Sequence, residues 1–190
     1  MKKYKHSSTF MESFIKDRQN TMNLITQVLK NKDIDFCFIG GAVLPDYHYE
    51  RMTSDIDILI SYKDKEKFLT LIGSYFKRKF KNIQKSLFWN NPKTEIDIIF
   101  SREKAGDINK GIPYKEPKEL SKMKHSVPIL TLKNIVQYKL CAGLYGKVRL
   151  KDFSDIQQLI HINKLPIDFA DKFRDDIKNK YIELWKSVFE

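Results

Sequence analysis

The fold of this protein is decided at residues 55–60, which read Asp55-Ile56-Asp57-Ile58-Leu59-Ile60. Acidic and apolar residues alternate at the start of this run, and successive side chains of a β-strand point to opposite faces. The pattern therefore predicts a strand that carries Asp55 and Asp57 on one face, about 7 Å apart along the chain, and buries isoleucines on the other. Aspartate is a poor strand former, so its presence at both positions favours a chemical role.

A second run, residues 95–100, repeats this alternation as Glu95-Ile96-Asp97-Ile98-Ile99-Phe100. If the two strands pair, Asp97 reaches the face that carries the first two acids, and Glu95 is a weaker candidate there. Adjacent carboxylates repel one another unless a cation lies between them, and Mg²⁺ prefers such ligands. The pattern predicts two divalent ions about 4 Å apart, with Asp97 placed to take a proton from an attacking hydroxyl. The alternative is that the acids only decorate solvated strand faces.

Two glycines precede the first acidic run by fourteen residues. The apolar segment Phe36-Cys37-Phe38-Ile39 predicts a buried strand, and Gly40-Gly41 ends it. Without a Cβ, the backbone amides of these glycines can approach phosphate groups. Arg51 offers a positive charge for phosphate in the same part of the chain. Together with the acids, these residues predict a site for a phosphorylated ligand.

The spacing of apolar residues predicts the remaining elements. Helices are expected over 8–30 (capped by Ser8 or Thr9), from residue 42, over 64–78, 132–146 and 151–162, and within 168–189. Strands are expected over 35–39 and as a hairpin of 85–89 with 94–100, whereas 101–126 is expected to be a long loop with a helical turn near 118–122. The fold class expected is α+β (mixed α/β), a small mixed sheet flanked by helices, with a division into residues 1–130 and a helical C-terminal region, 131–190, packed on them.

Composition excludes several classes of protein. Hydrophobic residues make up 42% of the 190 residues, so a disordered chain is not expected, and no apolar run is long enough to span a bilayer. Cys37 and Cys141 are too few for a disulfide framework, and no signal peptide is evident, so a cytoplasmic location is expected. The net charge of +11 favours a nucleic-acid partner no more than it favours lysine enrichment by an AT-rich genome.

Four segments carry a family resemblance. Residues 38–43 and 51–60 resemble the DNA polymerase β-like nucleotidyltransferase superfamily, in which a strand-ending glycine pair precedes an acidic strand and a later strand supplies a third acid. Residues 130–140 and 149–155 are similar to the AbiEii-like branch, which includes abortive-infection and toxin–antitoxin nucleotidyltransferases. The resemblance covers about residues 36 to 159 and implies a nucleotidyltransferase sheet and a catalytic core within residues 1–130.

The resemblance also implies roles for single residues. Gly40 and Gly41 would line the nucleotide phosphates, Asp55 and Asp57 would bind metal, and Asp97 would be the third ligand and the base. Lys139 would face the triphosphate, unless it lies on a solvated helix face. The resemblance assigns Asp152 and Asp155 to the later acidic motif. The alternative is that these two acids only offset a helix dipole. The role of Arg149, ten residues after Lys139, is left open.

The resemblance implies metal-dependent transfer of a nucleoside monophosphate from an NTP to an acceptor hydroxyl, with two Mg²⁺ or Mn²⁺ ions. RNA, such as a tRNA end, or a protein is the expected acceptor, and a cognate antitoxin is a possible partner. Two alternatives stay open: an antibiotic-type enzyme acting on a small molecule, and a non-catalytic module that binds RNA or a partner. Phe88, Trp89 and Tyr114 are candidates for stacking on a base or for the apolar core.

Overall fold

The computed structural model describes the backbone of residues 5–53, 55–75, 77–79, 86–88, 95–146 and 149–190. Side chains are described in 18–53, 55–72, 95–146 and 149–190. The helices are α1 (Lys5–Lys30), α2 (Lys65–Tyr75), α3 (Pro117–Leu120), α4 (Leu132–Tyr145), α5 (Leu150–Asn163) and α6 (Asp175–Phe189), with 3₁₀ segments at Gly40–Tyr47, Tyr62–Asp64 and Ile167–Lys172. The strands are β1 (Phe36–Ile39), β2 (Asp55–Ile60), β3 (Lys77–Lys79), β4 (Ser86–Phe88), β5 (Glu95–Phe100), β6 (Lys104–Ala105), β7 (Ile112–Pro113), β8 (Ser121–Lys124) and β9 (Val127–Leu130).

Seven of the described strands form one mixed sheet in the order β3-β4-β5-β2-β1-β9-β8. At its centre β2 is parallel to β5 and antiparallel to β1, and β1 is parallel to β9. The pairs β3–β4, β4–β5 and β8–β9 are antiparallel, and β6 and β7 form a small separate sheet. A mixed sheet with flanking helices and a helical C-terminal part confirms the expected fold class.

The side chains at the start of β2 alternate between the apolar core and the other face of the sheet, as predicted. Ile56, Ile58 and Ile60 are almost completely buried beneath the sheet, whereas Asp55 and Asp57 stay half-buried. The apolar core runs from α1 to α6 and crosses the position where the sequence suggested a division at residue 130. That division stays a prediction. Within the described part of the chain, no helix combines the length and apolarity that crossing a membrane requires.

Two regions differ from the sequence-based expectation. The helix expected over 64–78 ends at Tyr75, and Lys77–Lys79 is a strand because it pairs with β4. The expected loop 101–126 contains the strands β6, β7 and β8, whereas the helical turn expected near 118–122 is present as α3. These three strands depend on pairing partners elsewhere in the chain and are only two to four residues long, so local periodicity gives little sign of them.

The turn between β8 and β9 also carries no sequence signal. His125 and Ser126 both adopt positive φ angles, 47° and 65°, which a two-residue hairpin turn of this kind requires. Asparagine and glycine are the usual residues there, and neither is present. The turn of the predicted 85–100 hairpin lies outside the described residues, although its strands β4 and β5 pair as expected.

Candidate active site

Three aspartates meet where β2 and β5 lie side by side. The parallel register places Asp57 opposite Asp97 and Asp55 opposite Glu95. One carboxylate oxygen from each of Asp55, Asp57 and Asp97 lies within 4.8 Å of the other two, and all three side chains are half-buried. The predicted pairing of the two acidic strands is therefore confirmed. The three side chains form one group, which we call the acid cluster.

The electrostatics of this cluster fit a cation. Burial, together with the neighbouring carboxylates of Asp55 and Asp97, raises the pKa of Asp57 to about 7, against the opposing effect of Lys139 and Arg149. Desolvation and like charge are the two causes that disfavour a carboxylate. A hard divalent ion relieves both, and oxygen ligands of this kind are those that Mg²⁺ prefers. The donor set therefore fits a divalent metal ion.

The turn after β1 brings backbone against the cluster. Gly40 has φ of 67°, in the left-handed region, and a Cβ built on it would lie 1.8 Å from Oδ2 of Asp57. Any side chain at this position would collide with the central carboxylate. A Cβ on Gly41 would lie 2.8 Å from Nη2 of Arg51 and 2.9 Å from Oγ1 of Thr53. The glycine pair thus leaves room for the acids and for the polar residues before them.

One contact to the acid cluster was missed by sequence reasoning. The Thr53 hydroxyl donates a hydrogen bond to Oδ1 of Asp55. This bond holds one of the two oxygens of Asp55 in place at the start of β2. The only local signal was a hydroxyl residue two positions before the first acid, which is too common a feature to single out.

A second group of acids lies in the helical part, where Lys139 of α4 contacts two carboxylates of α5. Its Nζ donates to Oδ1 of Asp152 at 2.8 Å and to Oδ2 of Asp155 at 2.7 Å. Arg51 adds an ion pair, with Nε 3.0 Å from Oδ1 of Asp155, and the Tyr49 hydroxyl donates to the same oxygen at 3.3 Å. We call these five residues the lysine cluster.

Burial of the lysine cluster decides between the two expectations for Lys139. Lys139 is 8% exposed, Asp152 4% and Asp155 1%. The alternative of a solvated helix face for Lys139 is therefore wrong, because its ammonium is needed to neutralise two buried acids. Asp152 lies in the first turn of α5, where a negative charge is favourable, but the contact with Lys139 is the closer interaction.

A cleft of about 500 Å³ connects the two groups. Its polar lining comes from Gly40, Gly41, Arg51, Thr53, Asp55, Asp57, Asp97, Glu103, Tyr114, Tyr138, Lys139, Arg149, Lys151 and Asp152. All the predicted site residues except Asp155 are in this set, and Glu95 is not. Sequence reasoning missed Glu103, Tyr138 and Lys151, which reach the cleft only through folding.

One of the three aromatic candidates for stacking on a base lies in the cleft. Tyr114 lines the cleft and stacks on Tyr138, with ring centroids 4.2 Å apart. The side chain of Phe88 and the whole of Trp89 lie outside the described residues. Tyr114 is therefore the aromatic residue that the described structure offers to a ligand, beside the buried ring of Tyr138.

The fold was compared with those of known proteins. No family model and no curated protein matches the chain. A candidate nucleotidyltransferase from Thermotoga maritima matches in structure with a TM-score of 0.53 and 13% identity, over 77% of this chain and 93% of that one. An antigenic nucleotidyltransferase-like protein from Paracoccidioides brasiliensis matches with a TM-score of 0.51 and 13% identity, over 92% and 97%. The protein has the nucleotidyltransferase fold.

A third match, JHP933 from Helicobacter pylori, has a TM-score of 0.51 and 17% identity over 92% of this chain and 79% of that one. At such identities the likeness shows the nucleotidyltransferase fold alone. It does not distinguish the AbiEii-like branch from others, so membership of that branch stays a prediction. The activity has to be argued from the cleft.

Proposed function

We propose that the protein is a metal-dependent nucleotidyltransferase that moves a nucleoside monophosphate from an NTP to an acceptor hydroxyl. The observation that carries this proposal is the meeting of Asp55, Asp57 and Asp97 within 4.8 Å of one another. They meet in a cleft of about 500 Å³, beside a glycine turn that only a residue without Cβ can form. Acids whose only role is solubility would be expected on the open surface, not grouped in a cleft.

Each residue of the acid cluster has a role in this reaction. Asp55 and Asp57 would hold the divalent ions, with Asp97 as the third ligand, and Gly40 and Gly41 offer backbone amides to phosphate oxygens. Mg²⁺ or Mn²⁺, two ions in the proposal, would supply charge stabilisation to the phosphoryl oxygens. The acceptor oxygen forms a bond to the α-phosphorus, the bond from that phosphorus to pyrophosphate breaks, and Asp97 takes the hydroxyl proton.

The acceptor that we propose is RNA, such as a tRNA end. The support is the resemblance to toxin nucleotidyltransferases together with charge: 35 lysines and arginines against 24 acids give a net charge of +11, which attracts a polyanion. A cytoplasmic toxin–antitoxin or phage-defence setting, with a cognate antitoxin as partner, follows from the resemblance to the AbiEii-like branch and is part of the same proposal.

The experiment is a labelling assay. The protein is incubated with each α-labelled NTP and Mg²⁺ or Mn²⁺, in separate reactions with tRNA, total RNA, a protein extract and a panel of hydroxylated antibiotics. Wild-type protein should label RNA. Asp57→Ala should reduce the rate by roughly 10²-fold or more because it removes charge stabilisation at the reacting phosphate. Asp168→Ala, which removes an exposed acid outside the cleft, is the matched control.

The other outcomes select the alternatives. Label in an antibiotic favours the small-molecule enzyme, and label in protein changes the acceptor but keeps the chemistry. RNA binding that survives Asp57→Ala, with no transfer by the wild type, favours a non-catalytic module. Undiminished transfer by Asp57→Ala would show that the acid cluster is not the active site.

A further inference from the structure

The cleft contains more basic side chains than are needed to neutralise its acids outside the acid cluster. Arg51, Lys139, Arg149 and Lys151 all line it. A nucleotide brings several negative charges, so at least one of these cations is expected to meet phosphate. Which cation does so depends on how far each is already engaged by the protein.

Lys139 is the most engaged of these cations. Two of its three ammonium hydrogens are used by Asp152 and Asp155, at 2.8 and 2.7 Å, and its side chain is 10% exposed. Its third N–H is unused by the described residues, but a phosphate that drew the ammonium away from either buried carboxylate would leave that acid without its cation, which is costly. Lys139 is therefore suited to holding α4 against α5 and unsuited to binding phosphate.

Arg149 is in the opposite situation. Lys139 and Arg51 together balance the charges of Asp152 and Asp155, so the charge of Arg149 is in excess within this group. Its Nε lies 3.5 Å from Oδ2 of Asp152, and its side chain is 45% exposed. The guanidinium has five N–H donors, of which a loose contact at one edge leaves most available for phosphate oxygens.

Tyr114 lines the same cleft as Arg149, and contacts of its backbone and its ring hold it in place. Its backbone N–H donates to the carbonyl of Glu103 at 2.8 Å, and its carbonyl accepts from Arg102 at 2.7 Å. Its ring stacks on Tyr138, whose hydroxyl donates to the carbonyl of Pro113 at 3.2 Å. Among the described residues the Tyr114 hydroxyl has no hydrogen-bond partner, and Asp57 and Arg149 both act on it electrostatically. A fixed hydroxyl of this kind is preorganised for a ligand.

We propose that the Arg149 guanidinium and the Tyr114 hydroxyl form the subsite for the triphosphate of the nucleotide, and that Lys139 is a positioning residue. The identity of the ligand as an NTP rests on the proposed function. The assignment differs from the role that the family resemblance implied for Lys139. It depends on the geometry of this chain, in which Lys139 is paired with two buried acids, whereas Arg149 is the more exposed of the two in the cleft.

The subsite can be tested with inorganic tripolyphosphate, which carries the phosphates without base or ribose. Calorimetry on the full chain should show about tenfold weaker binding for Arg149→Gln, because a charged hydrogen-bonding partner is lost. Tyr114→Phe, which removes one neutral donor, should weaken binding about threefold. Arg102→Gln removes the same charge from an exposed side chain outside the cleft and should bind like the wild type.

The role of Lys139 is tested by the order of effects in two assays. Lys139→Met should lower the melting temperature more than Arg149→Gln does, while weakening tripolyphosphate binding less. The proposal is overturned if Arg149→Gln and Tyr114→Phe both bind like the wild type, or if folded Lys139→Met loses more affinity than Arg149→Gln. If Lys139→Met does not fold, the first two variants decide.

The result can be separated from failure of the proposed function. A wild type that labels no acceptor, yet binds tripolyphosphate through Arg149, would refute transfer and keep the phosphate subsite. If transfer is found, Arg149→Gln should raise KM for the NTP more than it lowers kcat, because the contact is present before the chemical step. Loss of kcat alone would point instead to a contact made only in the transition state.

Discussion

Two groups of carboxylates lie in and next to the cleft, and their surroundings differ. In the lysine cluster, Asp152 and Asp155 have fixed cations within 3.0 Å, supplied by Lys139 and Arg51. In the acid cluster, Asp57 makes no ion pair with any described lysine or arginine, and burial beside two more acids raises its pKa to about 7. The two acids of the first group have their cations within the chain, whereas the second group has the donor set that a divalent ion would fit.

The difference separates stability from function. A buried acid that has its cation ties two elements together, and removing either partner leaves an uncompensated charge. A crowded acid without one is a cost to the folded state, which a metal ion can repay on binding. Each cluster therefore predicts an opposite response to mutation.

The largest effect is expected in the lysine cluster. Lys139→Met should lower the free energy of unfolding by about 3–5 kcal/mol, because two buried acids lose a cation that they share. Urea unfolding measures the change. Lys151→Met, which removes an exposed charge from α5, should alter stability by less than about 0.5 kcal/mol. A loss under about 1 kcal/mol for Lys139→Met would mean that the cluster does not stabilise the helices.

A smaller loss is expected at the glycine turn. Gly40→Ala should cost roughly 2 kcal/mol or more, since it adds left-handed strain to a contact of 1.8 Å with the Asp57 carboxylate. It should also abolish Mg²⁺ binding by displacing that carboxylate. Gly41→Ala should cost less, because Arg51 can move its guanidinium away from the new methyl. Equal losses for the two variants, measured by urea unfolding, would contradict the close approach of Gly40 to Asp57.

In the acid cluster, removing a charge should increase the stability of the folded protein. Because the folded-state pKa of Asp57 is raised to about 7 from a value near 4 in the unfolded chain, its effect on stability becomes less favourable as the pH rises through that window. Asp57→Asn should therefore match the wild type near pH 4 and exceed its melting temperature above pH 7, by about 2–4 °C per kcal/mol gained. The scans are run in EDTA. A variant less stable than the wild type at pH 8 would refute this account.

Added Mg²⁺ provides a second test of the difference between the wild type and Asp57→Asn. Excess Mg²⁺ should raise the melting temperature of the wild type at pH 8, because binding favours the folded state. It should have little effect on Asp57→Asn. Equal Mg²⁺ shifts in both proteins would place the ion elsewhere.

The smallest effect concerns Tyr49. Its hydroxyl donates to Oδ1 of Asp155 at 3.3 Å, a long bond to an acid that already has two cations. Tyr49→Phe should lower the free energy of unfolding by about 0.5–1.5 kcal/mol. Tyr62→Phe, at an exposed tyrosine, is the control for the loss of a hydroxyl. No difference between the two variants would mean that this bond adds nothing to the lysine cluster.

Much of the strand face that carries the three acids could be predicted from sequence because it depends on local periodicity. The bounds of β2 and β5 follow directly from the alternation of acids with isoleucines, and the gap left by Gly40 follows from a glycine pair at a strand end. The strand β3 and the hairpin of β8 and β9 were missed because each is held by pairing with another segment.

The lysine cluster was beyond local reasoning. Helical spacing predicted α4 and α5, yet it did not show that Lys139 turns toward the two acids thirteen and sixteen residues later. Arg51 joins them from more than one hundred positions away. The same limit applies to Tyr114, which becomes a cleft residue only when its ring is stacked on Tyr138.

The sequence by itself determined which side chains share a face of a strand, because alternation is fixed by backbone geometry within a few residues. Only the tertiary structure decided which charges meet. Coulomb energy depends on the distance between two groups and on the water around them, and for residues far apart in the chain both are set by packing.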